Sequence, residues 1–122
     1  MGFALKQEVF VPRSAASDAA LVVFITASSY EEANKLSSLI VESKLAACAT
    51  IVENVRSLFK WEGKVNSEKE SLLILKTTVG RFSDLEKFVK KHHSYEVPEI
   101  IAFPIVIGSK DYLKWIRQET QK

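Results

Sequence analysis

Residues 90–100 read KKHHSYEVPEI and carry both histidines of the chain, adjacent at His92 and His93. Imidazole is a ligand for copper, zinc and nickel, so the pair is the first candidate metal site. Adjacent residues on a helix point about 100° apart, whereas two ligands on one face stand three or four positions apart. At a helix end both rings could still reach one ion. A structural reading competes with this. His92 continues an apolar stripe from Leu85 and Val89, and His93 falls in a last turn where a ring nitrogen can bond a free carbonyl.

Other reactive side chains surround the same segment in sequence. Tyr95, Pro98 and Glu99 lead from the helix into an apolar run, and Pro98 biases Val97 to extended geometry. Glu99 enters that run as Lys76 follows the run LLIL, so the two are either an ion pair or the polar contacts of a cleft. Trp61 ends a strand just before a turn, as a packing or a ligand-stacking residue. Cys48 is the single cysteine, a small buried residue or a thiol awaiting a partner.

Several function classes lack support. No Ser-His-Asp or Cys-His grouping has helpful local context, and the four glycines form no phosphate loop. The chain is therefore expected not to be an enzyme and to require no cofactor. Its net charge is +2, too balanced to indicate nucleic acid, and the aromatic signature of RNA-binding sheets is missing. No apolar run approaches the roughly 20 residues of a membrane helix. One thiol needs no oxidising compartment, so a cytoplasmic protein is expected, with an organelle not excluded.

The 122 residues are 47% hydrophobic and 26% charged, as for one soluble domain. Residues 1–19 read as a flexible N-terminal arm and 20–122 as a single domain. AALVVFITA, residues 19–27, is a buried strand. Ser29 and Glu32 have capping-box spacing, and Ala33, Leu36, Leu39 and Ile40 set a helix over 30–44. From near Ala47 the period falls to two, with Val55, Ser57, Phe59 and Trp61 on one side. Glu62-Gly63 is a hairpin turn, and its partner strand runs to about Val79, charged first and apolar later. Phe82, Leu85, Phe88 and Val89 mark a second helix, and 98–108 is a strand interrupted by Pro104, hence an edge, bulge or end. Ser109 caps a final helix.

The order is β-α-β-β-α-β plus a terminal helix, an α+β fold of ferredoxin-like type with an antiparallel sheet and both helices on one face. The other face carries apolar side chains of two long strands, a liability in a monomer. Oligomerisation is expected, with the edge at Pro104 and the final helix as contacts.

KLAACATI, LFKWEGKV, LILKTT, HHSYEVPEI and DYLKWI, in this order and spacing over about 20–118, resemble the CutA divalent-ion tolerance family. The resemblance implies a homotrimer similar in architecture to the PII signalling proteins, which bind small ligands at subunit clefts. It implies His92 and His93 as ligands for Cu(II) or another divalent cation. It also implies a subunit cleft with Cys48, Trp61, Lys76, Tyr95 and Glu99 as candidate lining residues. Ile25 stands where the family's proposed copper site has a first-strand cysteine, which removes the softest ligand.

Overall fold

The computed structural model describes residues 16–122. The expected arm over 1–19 lies mostly outside these residues, but its last four are tied to the domain. The Val79 N–H donates to the Ala19 carbonyl at 3.0 Å, and the Gly80 N–H to that of Ser17 at 2.7 Å. These bonds satisfy two donors at a helix start for which Thr78 supplies no side-chain cap.

The elements are β1 (Ala20–Ala27), α1 (Tyr30–Glu42), β2 (Cys48–Trp61), β3 (Lys64–Thr78), α2 (Val79–His92), β4 (Ile100–Pro104) and α3 (Lys110–Glu119). The strands form one antiparallel sheet in the order β2-β3-β1-β4. This is the α+β, ferredoxin-like order expected from the sequence. The register Val23↔Leu75 and Ile25↔Leu73 places these four fully buried side chains on one face. There they pack with Ala33, Leu36 and Ile40 of α1 and Phe82, Leu85 and Val89 of α2. Each large apolar side chain buried this way contributes about 1.5–3 kcal/mol.

The register sets Val22, Phe24, Val52, Ile74, Ile101 and Phe103 on the opposite face. At one end α3 lays Leu113 and Ile116 against Ala20, Ala47 and Ile105. The rest is open: Val52, Ile101 and Phe103 are exposed, and Phe103 meets Phe24 edge-on at 5.1 Å between ring centroids.

The β2–β3 hairpin extends past β1 as an arm, because Val55–Trp61 pairs with Lys64–Glu70 alone. Its turn is Glu62-Gly63, both at positive φ (52° and 77°), as a two-residue hairpin turn of matching twist requires. At the base of the arm the register shifts between Val52 and Val55. Glu53 and Asn54 together oppose Ser71, a β-bulge with Asn54 at φ 59°. The bulge moves Val55, Ser57, Phe59 and Trp61 onto the same open face as Val52.

Two elements are shorter than their sequence pattern. The first helix, expected to reach 44, stops at Glu42. Lys44 turns left-handed at φ 62°, and the Leu45 N–H returns to the Ile40 carbonyl at 3.0 Å, closing a Schellman motif. The strand expected over 98–108 is limited to Ile100–Pro104. Its neighbour β1 begins at Ala20, so after the Ile105 N–H reaches the Ala20 carbonyl no further strand partner follows among the described residues. Val106 and Ile107 then project almost fully into solvent.

Candidate functional site

The end of α2 treats the two histidines differently. The Nδ1–H of His92 donates to the Phe88 carbonyl at 2.9 Å, since a carbonyl only accepts, and its ring stacks on Phe88 at 4.2 Å. Its Nε2 has no protein partner among the described residues. At His93 the backbone leaves the helix (φ −80°, ψ 143°) and the ring turns inward. Its Nε2–H donates to the Thr26 carbonyl at 2.7 Å. Its Nδ1 accepts from the Tyr95 N–H at 2.9 Å. Glu32 lies 3.9 Å from that Nδ1, but a nitrogen already accepting a hydrogen bond carries no proton, so the approach is not an ion pair. The His93 side chain is 0% exposed, and both its nitrogens are committed to fastening residues 93–95 to β1.

Glu32 reinforces that fastening. Ser29 caps α1 by accepting from the Glu32 N–H at 3.1 Å. The Glu32 carboxylate reaches one residue further back than a capping box, to the Ser28 N–H at 3.0 Å and its hydroxyl at 2.9 Å. It also accepts from the Ser94 N–H at 2.7 Å and the Ser94 hydroxyl at 3.0 Å. Burial alone would raise its pKa, but the donors of Ser28 and Ser94 outweigh it and hold the carboxyl below its ordinary value.

The fastened loop forms one wall of a cleft of about 1040 Å³ whose other wall is the open face of the arm. Tyr95 crosses it, donating its hydroxyl to Glu70 Oε2 at 2.7 Å. Burial, then this bond, then the charges of Glu70, Glu32 and Glu68 push the phenol above its ordinary range. Phe59 and Trp61 are exposed on the arm beside Glu68, and Glu96 and Glu99 project from the loop side.

Of the residues picked out in the sequence, Trp61, Tyr95 and Glu99 therefore share this cleft, whereas Cys48 and Lys76 stand apart. Those two are cross-strand partners at the other end of the open face, and Cys48 Sγ lies 3.6 Å from the Tyr112 hydroxyl. Lys76 opposes Val22, whereas Ile100, next to Glu99, opposes Ile25. Three positions along β1 are about 10 Å, so Lys76 and Glu99 make no ion pair. Sequence reasoning missed Glu70, Ser94 and the second contact of Glu32. Glu70 had a signal: it shares the period-two phase of Leu72 and Ile74, which puts a carboxylate on an apolar stripe.

Sheet order, helix placement and cleft together define a ferredoxin-like α+β domain with one open sheet face and a recess lined by glutamates, by Lys60 and Lys69, and by exposed aromatic rings. The family model described as CutA1 divalent ion tolerance protein matches residues 21–119. The divalent-cation tolerance protein CutA of Thermus thermophilus is 44% identical over 99 residues, 81% of this chain and 96% of that one. A protein of Arabidopsis thaliana named CutA, chloroplastic, is 40% identical over 118 residues, 97% of this chain. This chain spans 65% of that relative's length. The crystal structure of CutA1 from Oryza sativa matches with a TM-score of 0.83 at 40% identity, covering 85% of this chain and 95% of that one. The chain belongs to the CutA1 divalent ion tolerance family.

Proposed function

We propose that this protein serves divalent-ion tolerance as a homotrimer that binds cations and catalyses no reaction. The observation that carries the reading is the open sheet face, with Phe24, Phe103, Ile101 and Val52 in one apolar field. An exposed field of that kind marks an interaction surface, and a closed ring of copies covers it in each. For the ion, Cu(II) or another divalent cation, the free Nε2 of His92 is the candidate contact. His93 stands behind it as an anchor. Among the described residues no three His, Cys, Asp or Glu side chains gather closely enough to hold an ion within one subunit. A site of three such ligands drawn from the described residues would therefore take them from more than one subunit.

Light scattering of the metal-free chain, with calorimetric titration by Cu(II) and Zn(II), tests both parts. A mass three times that of the 13.7 kDa chain and saturable binding abolished by His92→Ala are expected. A monomeric mass overturns the assembly, and unchanged binding by His92→Ala overturns the site. The single thiol is consistent with the cytoplasm, and among the described residues no helix is long and apolar enough to cross a membrane. Imaging a tagged chain separates the cytoplasm from the chloroplast in the Arabidopsis relative's name. A second reading, in the manner of PII proteins, takes the recess at Trp61, Tyr95 and Glu99 as a small-ligand cleft. Its volume and mixed lining favour it.

A further inference from the structure

His92 and His93 are neighbours in sequence, yet their hydrogen bonds hold them in opposite tautomers. In His93 the Nε2–H donates to the Thr26 carbonyl and Nδ1 accepts from the Tyr95 N–H. In His92 the Nδ1–H donates to the Phe88 carbonyl, so the free lone pair stands on Nε2. Only one of the two rings therefore offers a nitrogen to a cation, and it offers a single atom. His92 is exposed at the end of α2. That helix packs on the covered face of the sheet, so the exposure does not depend on the open face being bare.

One residue fixes that ring. Phe88 stands one helical turn before His92 and holds it twice, by its carbonyl at Nδ1 and by its own ring, stacked at 4.2 Å between centroids and 25° between planes. Phe88 is in turn set by packing against the core that contains Leu85 and Val89. A metal-ligating histidine is commonly oriented in this way, with its second ring nitrogen donating to a carbonyl, which makes the first a better donor to the ion. Capping a helix end with an imidazole needs the carbonyl alone; the stack is an additional restraint on where Nε2 points. Lys90 and Lys91 share the last turn with His92. Lys90 is answered by Glu86 at 3.7 Å, Lys91 is solvated, and the helix C-terminus carries a partial negative charge that favours a cation.

We propose that Phe88 is the positioning residue of the His92 cation site: its carbonyl and its ring select the Nδ1–H tautomer and hold Nε2 as the one ligating atom of the histidine pair. A lone neutral imidazole nitrogen suits Zn(II) or Cu(II) and not Mg(II). The proposal rests on the cation reading of His92. The test is NMR of the imidazole nitrogens of the full chain at mildly alkaline pH, where imidazole is neutral, first without metal and then with Zn(II), with Mg(II) as the control. The metal-free spectrum should show the proton on Nδ1 in His92 and on Nε2 in His93. Zinc should shift Nε2 of His92 and leave both His93 nitrogens in place, and magnesium should shift neither. Phe88→Leu keeps an apolar side chain and the carbonyl but removes the stack. It should move His92 toward the Nε2–H tautomer and weaken zinc binding about two- to tenfold, the loss of one aromatic pair. Phe88→Tyr, which keeps the ring, should restore both, whereas a residue with a packing role alone would change the melting temperature and neither of these. Like tautomers in the two histidines, a zinc shift at His93, or parental tautomer and affinity in Phe88→Leu would each overturn the proposal. Opposite tautomers with no zinc shift at His92 would instead overturn the cation reading beneath it.

Discussion

Replacing His93 by alanine should damage the protein far more than the same change one residue earlier. The His93 ring is fully buried and closes two hydrogen bonds, at 2.7 Å to the Thr26 carbonyl and 2.9 Å from the Tyr95 N–H. Each bond contributes about 1 kcal/mol net, and each buried backbone group left unpaired costs about 1–3 kcal/mol. With the void left by the ring, a loss of about 3–5 kcal/mol follows for His93→Ala. His92 is exposed, with one bond to its own helix and a stack on Phe88. Its removal should cost under about 1 kcal/mol. The assay is urea unfolding of metal-free protein at equal protomer concentration, followed by circular dichroism. With a slope of about 1–3 kcal/mol per molar urea, the His93→Ala midpoint should fall by about 1–5 M while that of His92→Ala barely moves. His93→Phe separates packing from polarity: it fills the space but leaves both backbone groups unpaired, so it should still lose about 2 kcal/mol or more. Equal midpoints for the two alanine variants, or a His93→Ala midpoint close to the parent's, would refute the assignment of His93 as an anchor.

Other outcomes follow from the same geometry. Glu32 has a folded pKa below its unfolded one, so its stabilisation is complete above the unfolded value of about 4.3. That contribution disappears as pH falls through the folded value. Unfolding free energies between neutral and acid pH should therefore fall less steeply for Glu32→Gln than for the parent, and parallel curves would contradict this. Tyr95 and Tyr112 both ionise above the ordinary range, Tyr95 chiefly through burial and Tyr112 chiefly through its contact with Cys48. Alkaline titration at the phenolate absorbance should show two late ionisations, and Tyr95→Phe should remove one of them. Gly63→Ala has open space around the new methyl group but demands a φ of 77°, so it should cost about 1 kcal/mol from backbone strain alone. Thermal melts of that variant that match the parent's would contradict the turn geometry.

Much of the fold was legible because periodicity is a local signal. Val55, Ser57, Phe59 and Trp61 do share a side, and the caps foreseen at Ser29 and Ser109 accept from Glu32 and Tyr112. The site was legible only in part, since its contacts are distant in sequence and depend on register. His93 meets Thr26 across 67 positions and Tyr95 meets Glu70 across 25. A residue's phase on its strand says nothing of which neighbour stands opposite. For the same reason Cys48 and Lys76, grouped by family resemblance with a cleft between subunits, fall at the far end of the face within one subunit. Pairing register separates them from Glu99, and no composition or spacing displays it.

The bulge at Glu53 and Asn54 also governs how this chain can tolerate gained and lost residues. Two residues there do the work of one opposite Ser71, so deleting Asn54 would heal the irregularity and leave Val55 opposite Glu70. Phe59 and Trp61 would keep their side, and a left-handed residue would be relieved. Deleting one residue a few places later, at Ser57, has the opposite result. Everything from there to the turn changes sides, and Lys60 and Glu62 take the places of the aromatic rings. The base of the arm is thus a buffer against length change, and the stretch beyond it behaves like a reading frame.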